Sequence, residues 1–244
     1  MAQAKKDFAD SRWTNAFDEF KALHEQLPGD ARVTEFLAEA SLNTGKADYA
    51  HDLLAPLVDS APNRWAAVAL LARYYAETHN DSARDAGLAA LQKLHDSGKH
   101  PKLSAMDTIL LERHATADGG TVTIWYSLKP WGRFKAYLYA RYCDKDGHET
   151  SYMTLESSDM DQPLWAKQHP TEAAAGERMF SLDFYRVPVK NPGGSLTGFH
   201  ATMGFFDGRP PYDQIRDRMI SSANNLPGPL STSQRNFTPP APPQ

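Results

Sequence analysis

The stretches AFDEFKALHEQLP, Ala16 to Pro28, and AHDLLAPLVDSAP, Ala50 to Pro62, are two copies of one pattern. Ala16 matches Ala50, Phe20 matches Leu54, Leu23 matches Leu57 and Pro28 matches Pro62, every pair 34 residues apart. The small residue lets a neighbouring helix approach. The apolar residues recur at helical spacing, and the proline ends the helix because it cannot extend the hydrogen-bond ladder. Self-similarity at this period marks helical hairpins that stack because none can bury its apolar face alone.

Working outward, residues 2–10 are expected to form the first helix, with Ala4 and Phe8 inward, and Ser11 the turn. Trp13 to Leu27 follows and ends at Pro28-Gly29-Asp30. The second hairpin is Ala31 to Leu42, the turn Asn43-Thr44-Gly45, and Ala47 to Val58; Gly45 falls 34 residues after Ser11. The third starts at Asn63, read as an N-cap, and Leu71-Ala72 repeats Leu37-Ala38. After His79-Asn80-Asp81 the register is expected to slip by about two residues, so that Ala83 to His95 turns Ala86, Leu91 and Leu94 inward. The small residue, the paired apolar positions and the closing proline resemble the second helix of a tetratricopeptide repeat, over about residues 1–100. That resemblance implies a short α-solenoid whose first helices line a groove for a peptide or helix.

The 244 residues, 41% of them hydrophobic, suffice for two packed domains. Residues 1–103 hold 12 Lys and Arg against 15 Asp and Glu, and residues 104–244 hold 14 against 15. With no basic excess in either half, general nucleic-acid binding is not expected. A single cysteine, Cys143, excludes an intrachain disulfide. No apolar run is long enough for a membrane span. The compartment reads two ways: cytoplasmic if Met1 is the native start, periplasmic or secreted if Ala2-Gln3-Ala4 is the remnant of a signal-peptide cut.

Near residue 105 the apolar period changes from 3.6 to two. Val122, Ile124, Tyr126 and Leu128 alternate with polar neighbours, as do Phe134, Ala136, Leu138, Ala140 and Tyr142. Asp144-Lys145-Asp146-Gly147 is a hairpin turn, after which His148 to Glu156 returns. Further strands are expected at Pro163–Lys167, Arg178–Tyr185 and Thr197–Phe206. For 107–116, Ser104-x-x-Asp107 suggests a capped helix, whereas Asp118-Gly119-Gly120 favours a hairpin. The expected fold is therefore α+β and multidomain. A helical-repeat domain (1–103) precedes an antiparallel β-sandwich, immunoglobulin-like in one topology (104–208). A short helix (209–225) and a proline-rich tail (226–244), with six prolines in 19 residues, complete the chain.

Two surfaces can bind. On the repeats, Arg32, Glu35, Glu39 and Asn43 share one helix face, and Ala66, Ala69, Arg73 and Glu77 share the next. On the sheet, Arg133, Lys135, Tyr137, Tyr139 and Arg141 alternate along one face with Trp125 beside them, a cation–aromatic row able to stack on a sugar or clamp an acidic peptide. Asp144, Asp146 and Glu149 resemble part of a calcium loop but lack the closing bidentate glutamate, so no metal is assigned. There is no nucleophile elbow, phosphate loop or dinucleotide fingerprint, and no cofactor or enzymatic activity is expected. The expected function is a scaffold or adaptor whose partner is another protein, held by the groove, the sheet face or both. The alternative is a structural subunit that binds copies of itself through the repeat ends, where Phe8 and Trp13 lie, and through the tail. A third reading, a secreted carbohydrate binder, rests on the aromatic face alone.

Overall fold

A computed structural model describes residues 1–98, 108–131, 136–157, 162–190, 196–208 and 210–223. The chain divides into two compact units, Met1–Ser104 and Ala105–Gln244.

The first unit is six helices: α1 (Ala2–Ala9), α2 (Trp13–Gln26), α3 (Ala31–Asn43), α4 (Ala47–Ser60), α5 (Trp65–Glu77) and α6 (Asp81–Asp96). Helices α2, α4 and α6 begin at 13, 47 and 81, so the period of 34 holds through all three hairpins. The turns inside the hairpins show why. Ser11, Gly45 and His79 occupy the left-handed region at φ 57°, 73° and 58°. The next amide in each case reaches back five residues: Arg12 N to Asp7 O, Lys46 N to Ser41 O and Asn80 N to Tyr75 O, all 2.8 Å. One helix-ending motif, in which a left-handed residue lets the chain satisfy the last carbonyls, is thus written three times.

The expected slip in the third hairpin does not occur. Leu88 and Leu91 are buried where Phe20 and Leu23, then Leu54 and Leu57, stand in the earlier hairpins, while Ala86 is exposed. The register was hidden because the small-residue position, Ala16 and Ala50 before, is held here by Arg84. Arg84 is 4% exposed and bonded to Asp81 and Asp85. Asn63 is not the cap of α5 either. Arg64 takes that position; its guanidinium has no acceptor with which to cap, and it donates to Glu35 on α3. Asp30, one repeat earlier, caps α3 by accepting from the Arg32 and Val33 amides. The core is continuous between hairpins. Val33, Leu37 and Ala40 pack with Ala16 and Phe20, and Ala38, Ala50, Leu54 and Ala67 form the next layer.

The second unit contains β1 (Thr108–Ala115), β2 (Thr121–Trp131), β3 (Ala136–Cys143), β4 (Glu149–Glu156), α7 (Gln162–Gln168), α8 (Pro170–Ala174), β5 (Phe180–Lys190), β6 (Leu196–Phe206) and α9 (Tyr212–Ala223). The strands form one open antiparallel sheet in the order β1-β2-β3-β4-β5-β6. The α+β architecture, helical repeats followed by an antiparallel β-domain, is therefore as expected, and Thr108–Ala115 is a hairpin strand. Within the β-domain, the second layer that a sandwich would supply as a sheet is a helix among the described residues. Val122, Ile124, Leu138, Ala140, Met153, Leu155, Leu182 and Phe184 line one face, and Ile215 and Met219 of α9 are buried with them. Tyr142 fixes the helix by donating its hydroxyl to Met219 O at 2.7 Å.

The strand expected at Pro163–Lys167 is the helix α7. Proline near a helix start loses no hydrogen bond, because the first-turn amides have no intrahelical acceptor, and Leu, Ala, Lys and Gln favour helix. Gln162 anchors it with a two-way bond to the Met179 backbone, and Trp165 is buried with its indole N–H 3.2 Å from Asp207. The boundary near 103, Ser104 and Asp107, and the tail 226–244 lie outside the described residues.

Candidate functional site

The polar face of the repeats is built by helical spacing. Glu35, Glu39 and Asn43 follow one another at i, i+4 on α3, with Arg32 a turn earlier, and Arg73 and Glu77 do the same on α5. These residues are tied to one another across the two helices. Arg64 grips Glu35 with two bonds, Nε at 2.7 Å and NH2 at 2.9 Å, the bidentate geometry a planar guanidinium offers a carboxylate. The hydrogen bond to Glu35 in turn raises the Arg64 pKa above its ordinary value. Arg73 donates through Nε to Glu77 at 2.7 Å and through NH2 to Asn43 Oδ1 at 3.1 Å, and the Asn43 amide donates to the Glu39 carbonyl at 2.9 Å. Arg73 is only 2% exposed, and its NH1 is buried with no acceptor among the described residues. Arg32 and Ala66 are exposed on the same helices.

The sheet face away from α9 carries tyrosines on three adjacent strands. Tyr139 on β3 meets Tyr152 on β4 at 5.7 Å, and Tyr152 stacks on Tyr185 of β5 at 4.9 Å and 13°. Glu149 accepts from the Tyr139 hydroxyl at 3.1 Å and from Arg141 Nε at 2.8 Å. Burial, reinforced by the Glu149 charge, pushes the Tyr139 phenol well above its ordinary pKa. Below this row lie buried acids: Glu156 accepts from Tyr185 at 2.8 Å and from Thr154, and Asp183 accepts from Ser181 at 2.6 Å.

Of the residues expected on this face, Trp125 pairs with Tyr139 in the β2–β3 register and donates its indole N–H to Thr123. Tyr139 and Arg141 are brought together by Glu149. Tyr137 stands at a register shift and sets its ring edge-on to Phe180, 5.4 Å away. Arg133 and Lys135 lie outside the described residues. Glu149 is thus engaged on the sheet. Asp144 spends Oδ1 on the Asp146 and His148 amides, both 2.9 Å, which makes that segment a self-capped turn. Asp144, Asp146 and His148 do gather within 4.8 Å of one another, but largely in solvent.

A buried cluster escaped sequence reasoning. Glu112 is 1% exposed, on the sheet face that α9 covers, and accepts from the Tyr212 hydroxyl at 2.8 Å while His114 Nε2 lies 2.6 Å from its other oxygen. Arg216 approaches at 4.0 Å and bonds Asp217, with Asp213 2.7 Å away. The signal was a glutamate closing the apolar run Ile109-Leu110-Leu111, where a β-bulge at Leu111 turns it inward. Phe8 and Trp13, placed at the repeat end, also face inward: the Phe8 ring meets Trp13 and Phe36 at 5.0 Å each and Phe20 at 6.1 Å.

A family model described as tetratricopeptide repeat matches residues 7–74, and the first unit carries a segment of that repeat. Such repeats generally mediate protein–protein interaction, which fits a scaffold or adaptor. No curated protein matches the chain, and no solved structure matches it. Among the described residues no helix is long and apolar enough to cross a membrane.

Proposed function

We propose that this chain is a non-enzymatic scaffold or adaptor that holds a protein partner along the face shared by α3 and α5. The observation that carries the reading is the pinned polar row. Arg64–Glu35 and Arg73–Asn43–Glu77 lock the side chains in place before any ligand arrives, which lowers the ordering cost of binding. The row also contains an unmet donor. Arg73 NH1, buried and without an acceptor among the described residues, belongs to the interior of the row rather than to its ligand-facing side. The polar groups of this row serve one another rather than activating a nucleophile, in keeping with binding and not catalysis.

Site-specific photo-crosslinking tests it. A photoreactive residue replacing the exposed Ala66 on α5 is expected to label a partner in cells, and the same residue at exposed Asp52 on α4 is not. Adding Glu39→Lys is expected to abolish the Ala66 adduct while leaving the helical circular-dichroism signal unchanged. Equal labelling from both positions, or none from Ala66, would refute the reading.

A further inference from the structure

We infer that β6 is a strand-pairing edge, and that its occupant is β6 of a second copy of this chain. An open sheet has two edges, each a row of backbone groups without a neighbouring strand, and proteins blunt such edges with charge, proline, bulges or short length. The two edges here are treated differently. β1 has 8 residues, a bulge at Leu111 and the charged pair Glu112-Arg113. β6 has 11 residues, LTGFHATMGFF, without lysine, arginine, aspartate, glutamate or proline. β6 itself carries one extra residue, Met203, opposite the Leu182/Asp183 step; a second register shift, between Arg186 and Val189, puts its extra residue on β5, so β6 has no bulge of its own over 196–202.

A second, independent observation is where the apolar surface lies. Among the described residues only two large hydrophobic side chains on the sheet are exposed, Met203 at 48% and Phe205 at 52%, and both are on β6. The covered side of the same strand is closed by α9, since Arg218 sits over the Phe206 ring at 5.1 Å and a side chain at Gly204 would meet the Arg218 guanidinium. One flank of β6 is therefore sealed within the unit, while its outer edge has no pairing strand among the described residues.

The sequence of the edge selects the occupant. A foreign strand is chosen by charges or side-chain pockets, and β6 has no charge with which to choose. Against its own copy, run antiparallel about a two-fold axis, the one titratable pair any register can set face to face is His200 with itself, when the axis passes through that residue. Two-fold pairing also uses every contact twice, so an edge of modest affinity suffices. The pairing would extend the six-stranded sheet into a continuous sheet across two chains. It differs from assembly through the repeat ends, whose Phe8 and Trp13 rings pack within their own unit.

The test is the solution mass of the full chain by analytical ultracentrifugation over a concentration series, with the double variant Met203→Lys, Phe205→Lys alongside. Both side chains are exposed, so the variant keeps the fold. The wild-type mass is expected to rise from 27.1 kDa toward twice that value with concentration, and the variant to stay at the single-chain mass. Hydrogen exchange on the wild type gives a readout that needs no variant: β6 amides are expected to slow with concentration while β1 amides do not. A wild type that stays at the single-chain mass up to about 1 mM overturns the proposal. So does a variant that associates as well as wild type, or association that leaves β6 exchange unchanged.

Discussion

The three left-handed turn residues allow a test in which one position is perturbed in opposite directions. Ser11 and His79 hold φ near +57° with a Cβ that crowds the following carbonyl, a strain of about 1–2 kcal/mol for an L-residue. Glycine removes that strain but gives the unfolded chain more freedom to lose, about 0.5–1 kcal/mol. The net expectation for Ser11→Gly, and separately for His79→Gly, is a gain of about 0.5–1 kcal/mol. Gly45→Ala is the mirror experiment. A Cβ there meets nothing within 4 Å, so no clash contributes and the backbone strain stands alone, a loss of about 0.5–1 kcal/mol. All three residues are exposed, so core packing does not change; His79 makes an interaction of its own, so Ser11→Gly and Gly45→Ala are the cleaner pair. Urea unfolding followed at 222 nm, where the six repeat helices dominate the signal, reads each effect as a shift in midpoint at constant slope. If His79→Gly and Ser11→Gly both destabilise, or Gly45→Ala is neutral, then the shared motif does not set the period of 34 and the account of the third hairpin fails.

Other expectations follow from single contacts. Leu54 is fully buried between hairpins, so Leu54→Ala is expected to cost about 3–5 kcal/mol, seen as a lowered urea midpoint. Pro56 interrupts α4 on its exposed side; Pro56→Ala restores an amide donor and should raise stability by about 1–2 kcal/mol once the proline's restriction of the unfolded chain is deducted from its helix-interior penalty. The Arg12 guanidinium holds the Asp7 carboxyl below its ordinary pKa. Its stabilisation is therefore present above the unfolded value and lost as pH falls below it, and Asp7→Asn should flatten that acid limb of the stability profile. Tyr212→Phe removes a hydrogen bond to the buried Glu112 carboxylate; it should cost about 1.5–3 kcal/mol and speed hydrogen exchange in α9 with little change in α2–α5.

How legible this protein is in its sequence varies with the range of the interaction. The hairpins could be read because Ala16, Phe20 and Leu23 recur as Ala50, Leu54 and Leu57, and burial against a neighbouring copy imposes the same pattern each time. The third copy became obscure at one residue, Arg84, where an ion-paired side chain replaces an alanine; propensity and hydropathy do not register that exchange. The strands could be read because the α9-facing side alternates strictly, as in Ala136, Leu138, Ala140 and Tyr142. What covers that face could not, since a period-two pattern says only that one face is dry and is silent on whether a sheet or a helix dries it. The segment Pro163–Lys167 was not legible as a helix, because the partner that anchors it, the Met179 backbone, lies 17 residues from Gln162.

The binding face shows the same division and bears on how it works. Sequence spacing places Glu35, Glu39 and Asn43 on one line, but it leaves them looking like freely solvated groups. The structure adds Arg64, from a turn, and ties in Arg73, already placed on the next helix face, and the two convert the line into a cross-linked row. The two are not equivalent. Arg64 lies against the solvent side, and its pair with Glu35 contributes modestly to stability because water competes for both charges. Arg73 is buried, so removing Glu77 would strand a charge at a cost of several kcal/mol, about 3–5 by analogy with other buried pairs. A charge reversal at Arg73 would therefore report on folding rather than on recognition. Partner contacts are better probed at Arg32 and Ala66, which are exposed on the same helices.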